Sequence, residues 1–155
     1  MRDGVLGIEG VERFIYQPDE MPTEPIAIEN GRSSDMLDRV GGFLPSLALT
    51  SDGAAAAMAA DSPSLAQWFR AFCGGEIVSE TSLAEMTTIH DGYGLGLYEP
   101  EDPSGTVGHA GVDLGYNSLA GCLPQRGVVF AVLVNRNQDI LDASRVADAL
   151  VRPLP

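Results

Sequence analysis

The chain contains no lysine: all nine of its basic residues are arginine. A mechanism that needs an ammonium group, or a neutral lysine amine as base, cannot run on this chain alone, because a guanidinium stays protonated. Cysteine is nearly as scarce. The two present, Cys73 and Cys122, fall in different predicted elements and form no Cys-x-x-Cys pair. They read as buried thiols, not as a disulfide framework. Long apolar runs are missing as well. AAAAMAA and VVFAVLV are the strongest, far short of the roughly 20 residues that a membrane-spanning helix requires. The opening MRDGVLGIEGVERF mixes charges through its first turns and has no apolar centre, so it does not read as a signal peptide. As written, the chain reads as cytoplasmic.

Positive charge is the remaining shortage. The formal net charge is −13, and no basic patch is available to neutralise phosphates, which excludes a nucleic-acid partner. The acidic surface serves solubility in the simplest account. What the chain does have is a 45% apolar fraction over 155 residues, enough for one globular domain with a real core.

Residues 1–40 form a loop-rich lead-in. YQPDEMPTEP carries three prolines in ten residues, which disfavours helix and central strand alike; its acids Asp19 and Glu20 read as solvated. Gly41 and Gly42 permit a tight or left-handed backbone. Beyond them, TSDGAAAAMAA predicts a short alanine-rich helix capped by Thr50 or Ser51. DSPSLAQWFRAFCGG predicts a second helix, with Ser62 as N-cap, Pro63 in its first turn and Gly74 as its stop. Leu65, Trp68, Phe69 and Phe72 recur at helical spacing, an aromatic stripe of the kind that packs a core. SETSLAEMTT predicts a third helix, with Leu83 and Met86 inward.

After His90 the period changes. YGLGLYEP alternates like a strand, followed by TVGHAG, GYNSLAGCL and GVVFAVLVN. LPQRG places Pro124 and Gly127 where a reversal needs them, and the Val-rich run suits a strand covered on both faces. NQDILDASRVADALVRP closes the chain as a helix capped by Asn137 or Asp139. Its inner stripe is Ile140, Ala143, Ala147 and Leu150, and Pro153 stops it. Helices, then an antiparallel meander, then a closing helix read as α+β.

Chemistry concentrates in Gly108-His109-Ala110-Gly111. Small residues beside the histidine leave room for a substrate or another backbone, and the imidazole can donate to a carboxylate or carbonyl or move a proton. Its bland alternative is a strand histidine bonded to a neighbouring carbonyl. Other pairings are weaker. Cys122 with His109 would make a thiol–imidazole pair, but Cys122 sits in an apolar run that suits an inert thiol. Ser118 lacks a Gly-x-Ser-x-Gly elbow. His90, Asp91, His109 and Asp113 as metal ligands match only a chance-level spacing. No Gly-x-Gly-x-x-Gly or Walker-type loop supports a nucleotide, so no cofactor is expected.

The ordered set YGLGLY, TVGHAGVDLGYNSLAGCLPQRGVVFAVLVN and the closing helix resembles the C-terminal part of the serine β-lactamase family. The branch concerned is the class C-like one that includes D-alanyl-D-alanine carboxypeptidases and β-lactamase-fold esterases. The resemblance spans residues 41–152 and matches residues 1–40 only loosely. It implies a partial β-lactamase/transpeptidase-like fold. His109 would take the cationic or hydrogen-bonding position of the third motif and Gly111 its glycine. The backbone N–H of Val112 would be one of two oxyanion donors.

The family's Ser-x-x-Lys is excluded by the absence of lysine, and no tyrosine here begins a Tyr-x-Asn. The resemblance therefore implies one wall of an acyl-transfer site without its nucleophile, hence a C-terminal fragment that is inactive alone. Completed, it would act on a small-molecule or peptide acyl substrate: a β-lactam, a D-Ala-D-Ala peptide or an ester. The alternatives are a half-protein completed by a separate N-terminal partner, or a non-catalytic binding module, alone or as a homo-oligomer. Family members are often exported, which leaves localisation open. An exposed sheet edge and apolar surface are expected where the missing half would pack.

Overall fold

The computed structural model describes residues 4–16, 20, 27, 55, 58–101, 103–113, 115–136 and 142–154. Helix α1, Ser62–Cys73, starts where the carboxylate of Asp61 accepts the Ser64 N–H at 2.8 Å. The cap thus lies one residue before the predicted Ser62, since a charged acceptor suits the positive end of the helix. Gly74 ends it as expected, its N–H donating to the Arg70 carbonyl at 2.9 Å. Helix α2, Glu80–Met86, is capped by Ser79.

Three antiparallel strands follow: β3 (Val107–Asp113), β4 (Tyr116–Leu123) and β5 (Val128–Val134), in the order β3-β4-β5. A 3-10 turn over Pro124–Arg126 and left-handed Gly127, φ +62°, reverse the chain between β4 and β5. Alternation along the strands sorts side chains onto two faces. Leu119, Leu123, Phe130 and Val132 pack beneath Ala143, Ala147 and Val151 of helix α3, Asp142–Val151. On the opposite face Ala120, Val107, Val129 and Ala131 meet Phe69 and Phe72 of α1, with Leu83 and Met86 of α2 at the margin. The aromatic stripe is core: Trp68 stacks on Phe72 with ring centroids 5.3 Å apart and stands edge-on to Phe69 at 5.1 Å.

Helix α3 is held by sheet residues at both ends. Asn117 of β4, 2% exposed, accepts the Ala143 N–H through its side-chain oxygen. Arg126, from the turn after β4, donates to the carbonyls of Val151 and Leu154 beyond the last turn. Both meet backbone groups that a helix cannot satisfy internally. The proposed caps Asn137 and Asp139, and Ile140, lie outside the described residues, as do Thr50, Ser51, Gly41, Gly42 and Asp19. Ala143 and Ala147 are buried as expected, but Leu150 is 56% exposed and Val151 takes the inward place.

Four expectations are corrected. Met58–Ala59, predicted as helix, instead forms strand β2, paired antiparallel with β1 (Ile15–Tyr16). This pair adjoins a small cluster of Leu6, Val11 and Phe14 against Trp68, so part of the lead-in has a core of its own. Glu20 is not simply solvated, because a carboxylate oxygen accepts the Tyr16 N–H. YGLGLYEP alternates but forms only isolated bridges, Tyr93 to Tyr98 and Tyr98 to Gly108. Left-handed Gly96, φ +69°, breaks the extended backbone there.

The fourth correction is chemical. Cys73 and Cys122 are joined in a disulfide with Cα atoms 6.6 Å apart. Cys122 lies opposite Val107 on the α1 face of the sheet, and Cys73 is the last residue of α1. Two thiols in separate elements are brought together by packing that spacing alone does not reveal.

Candidate functional site

The site is built on β3, an edge strand. His109 pairs with Ala120 and Gly111 with Ser118, so His109 and Gly111 stand on the same face as Ala120, the face that meets α1. His109 itself is exposed. The Gly108 carbonyl points away from β4, accepting the Tyr98 N–H at 2.7 Å. In an antiparallel ladder the backbone direction alternates, so the Val112 N–H also faces the outer edge, away from β4. Val112 is 44% exposed. One backbone donor and one imidazole thus share an accessible strand.

Glycine is required at the base of this strand. A Cβ on Gly108 would stand 2.1 Å from the Ala120 carbonyl oxygen and 2.7 Å from the Gly121 Cα. Gly108 and Gly121 face each other as a narrow, non-hydrogen-bonded pair, which lets β3 and β4 close up directly before His109. At Gly111 a Cβ would meet only the Ser118 hydroxyl, at 2.6 Å, and a serine side chain can rotate away.

Both nitrogens of His109 are engaged. Nδ1 lies 2.5 Å from the Ala110 carbonyl oxygen and Nε2 lies 2.6 Å from the Tyr93 hydroxyl. Tyr93 and Tyr98 both stand edge-on to the imidazole, with centroids 5.6 and 6.4 Å away. The backbone-carbonyl bond of the bland reading is therefore present, together with a phenol that the sequence reading did not single out. The signal for it lay in His90-Asp91-Gly92-Tyr93, whose central residues have φ +52° and +82°. An Asp-Gly pair favours such a left-handed turn, and this one carries Tyr93 back toward β3.

The rival pairings separate. Cys122 is oxidised to Cys73 and cannot serve as a thiolate for His109. The Ser118 hydroxyl makes a long contact to the Gly111 carbonyl, 3.4 Å, consistent with sheet packing. Among the described residues no group of three or more His, Cys, Asp or Glu is placed to hold a metal ion, and no helix is long and apolar enough to cross a membrane.

Comparison with known proteins bears on the family and the fold. The structure is similar to that of D-amino acid amidase from Ochrobactrum anthropi SV3, solved in complex with D-phenylalanine. The TM-score is 0.74 at 19% sequence identity, over 94% of this chain and 50% of that one. The two share the β-lactamase/transpeptidase-like fold, and the chain spans about half the length of that relative. No curated protein matches the sequence significantly. The sequence model of the Beta-lactamase family matches residues 13–152, beginning upstream of Gly41 where the motif resemblance starts. On that match across nearly its whole length, the chain belongs to the Beta-lactamase family.

Proposed function

We propose that this chain supplies the C-terminal wall of a β-lactamase-fold serine hydrolase and is inactive by itself. The observation that carries this reading is the exposed position of His109 on edge strand β3, with the Val112 N–H at the outer edge of the same strand. In a completed site the Val112 N–H would be one oxyanion donor, aimed at the charge that develops on a carbonyl under attack. His109 would be the hydrogen-bonding group of the third motif, and Gly111 keeps the strand open between them. The nucleophilic serine and its lysine base come from outside this chain, which has no lysine.

The reaction is acyl transfer to water from a β-lactam, a D-Ala-D-Ala peptide or an ester. The D-amino acid amidase likeness adds amides of D-amino acids to the substrates worth trying. The test is reconstitution. The chain is mixed with a separately produced N-terminal segment of a Beta-lactamase family protein carrying Ser-x-x-Lys and Tyr-x-Asn, and then with a fluorescent penicillin. Covalent label on the added serine in the mixture only, reduced at least tenfold by His109→Ala, is the expected result. A stable complex that never labels would instead favour a binding module.

A further inference from the structure

Tyr93 is half exposed and lies outside the apolar clusters of the described residues, yet its backbone is hydrogen-bonded at both N–H and carbonyl. Its N–H and carbonyl exchange bonds with His90 at 3.0 and 2.9 Å. The next residue, Gly94, presses so closely on Met86 that a Cβ would lie 2.3 Å from the Met86 carbonyl oxygen, and its N–H donates to Leu97 at 2.8 Å. This loop holds the phenol so that, among the described residues, its hydroxyl meets His109 Nε2.

The chemistry of that contact has a direction. The Ala110 carbonyl can only accept, so His109 Nδ1 carries a proton and donates to it. In the neutral imidazole Nε2 then bears the lone pair and accepts the Tyr93 O–H. Tyr98, which also edges onto the ring, makes no hydrogen bond to it among the described contacts; its N–H is spent on Gly108.

From this geometry we infer that Tyr93 is a positioning residue for His109: its O–H donates to Nε2 and, together with the Ala110 carbonyl at Nδ1, holds the imidazole in the Nδ1–H tautomer. The significance for hydrolysis rests on the proposed function; the tautomer itself does not. With the phenolic proton committed to Nε2, the one lone pair of that nitrogen is occupied. His109 then offers an incoming group no N–H donor at Nε2.

The experiment is long-range 1H–15N correlation of the imidazole nitrogens in 15N-histidine-labelled protein, at a pH where His109 is neutral. Neither turnover nor a second chain is needed, so its result stands apart from the reconstitution. Wild type is expected to show a pyrrole-type Nδ1 and a pyridine-type Nε2. Tyr93→Phe is expected to move Nε2 toward the N–H-bearing range, with other backbone amide shifts retained, and Tyr98→Phe to leave the tautomer unchanged. An Nε2–H tautomer in wild type overturns the assignment without reference to any variant. So does a Tyr93→Phe spectrum identical to wild type in a folded protein.

Discussion

At the scale of single residues, the account rests on how closely β3 and β4 approach beside His109. Gly108→Ala drives a Cβ into the Ala120 carbonyl, a backbone atom that cannot swing away. Overpacking typically costs about 1–3 kcal/mol, and a clash with backbone belongs at the upper end of that range. Gly111→Ala requires only that Ser118 rotate, and about 1 kcal/mol is expected. Urea denaturation of the two variants should separate them clearly; equal losses would mean that the strands adjust where the geometry says they cannot. The strand that carries His109 and Gly111 was legible in TVGHAG. Tyr93 was not, since its contact with His109 depends on a left-handed turn at Asp91 and Gly92 followed by a loop with no regular period. Alternation in YGLGLY pointed to a strand, and Gly96 overruled it.

At the scale of elements, α3 is the clearest case of a helix stabilised from outside. Its N-terminus leans on Asn117 and its C-terminus on Arg126. Asn117→Ala removes the acceptor for a buried N–H and is expected to cost about 1–3 kcal/mol, read as a lower denaturation midpoint at unchanged m-value. Arg126→Ala frees two helix-end carbonyls to more exposed surroundings and should cost less, about 1 kcal/mol. A larger loss for Arg126→Ala than for Asn117→Ala would contradict this ordering. The strands β3, β4 and β5 and the helices α1 to α3 followed from the period of the sequence, whereas the α1 cap moved to Asp61 and the caps foreseen for α3 lie outside the described residues. The two-residue strands β1 and β2 did not, because Met58–Ala59 sits in an alanine-rich run whose intrinsic preference is helical. Pairing with Ile15–Tyr16 decides it, and that partner is remote in sequence.

At the scale of the whole molecule, the sheet joins two layers and the disulfide fastens one of them. Cys73–Cys122 closes a loop of sequence separation 49, for which the chain-entropy model gives about 4 kcal/mol. Reduction under native conditions should therefore lower the thermal midpoint sharply, with the α1 face opening before the α3 face in hydrogen exchange. A midpoint indifferent to reductant would show that α1 docks without the bond. Among the described residues no strand pairs with the outer edge of β5, and Leu133 on that strand is 41% exposed.

The central claim is that this chain holds one wall of the site and no nucleophile. Intact-protein mass spectrometry after prolonged exposure to a penicillin tests it most directly. An unchanged mass is the predicted result. A stoichiometric gain of one penicillin mass, mapped by peptide analysis to a serine of this chain, would contradict it, because acylation would then proceed without the Ser-x-x-Lys pair that the lysine-free sequence excludes.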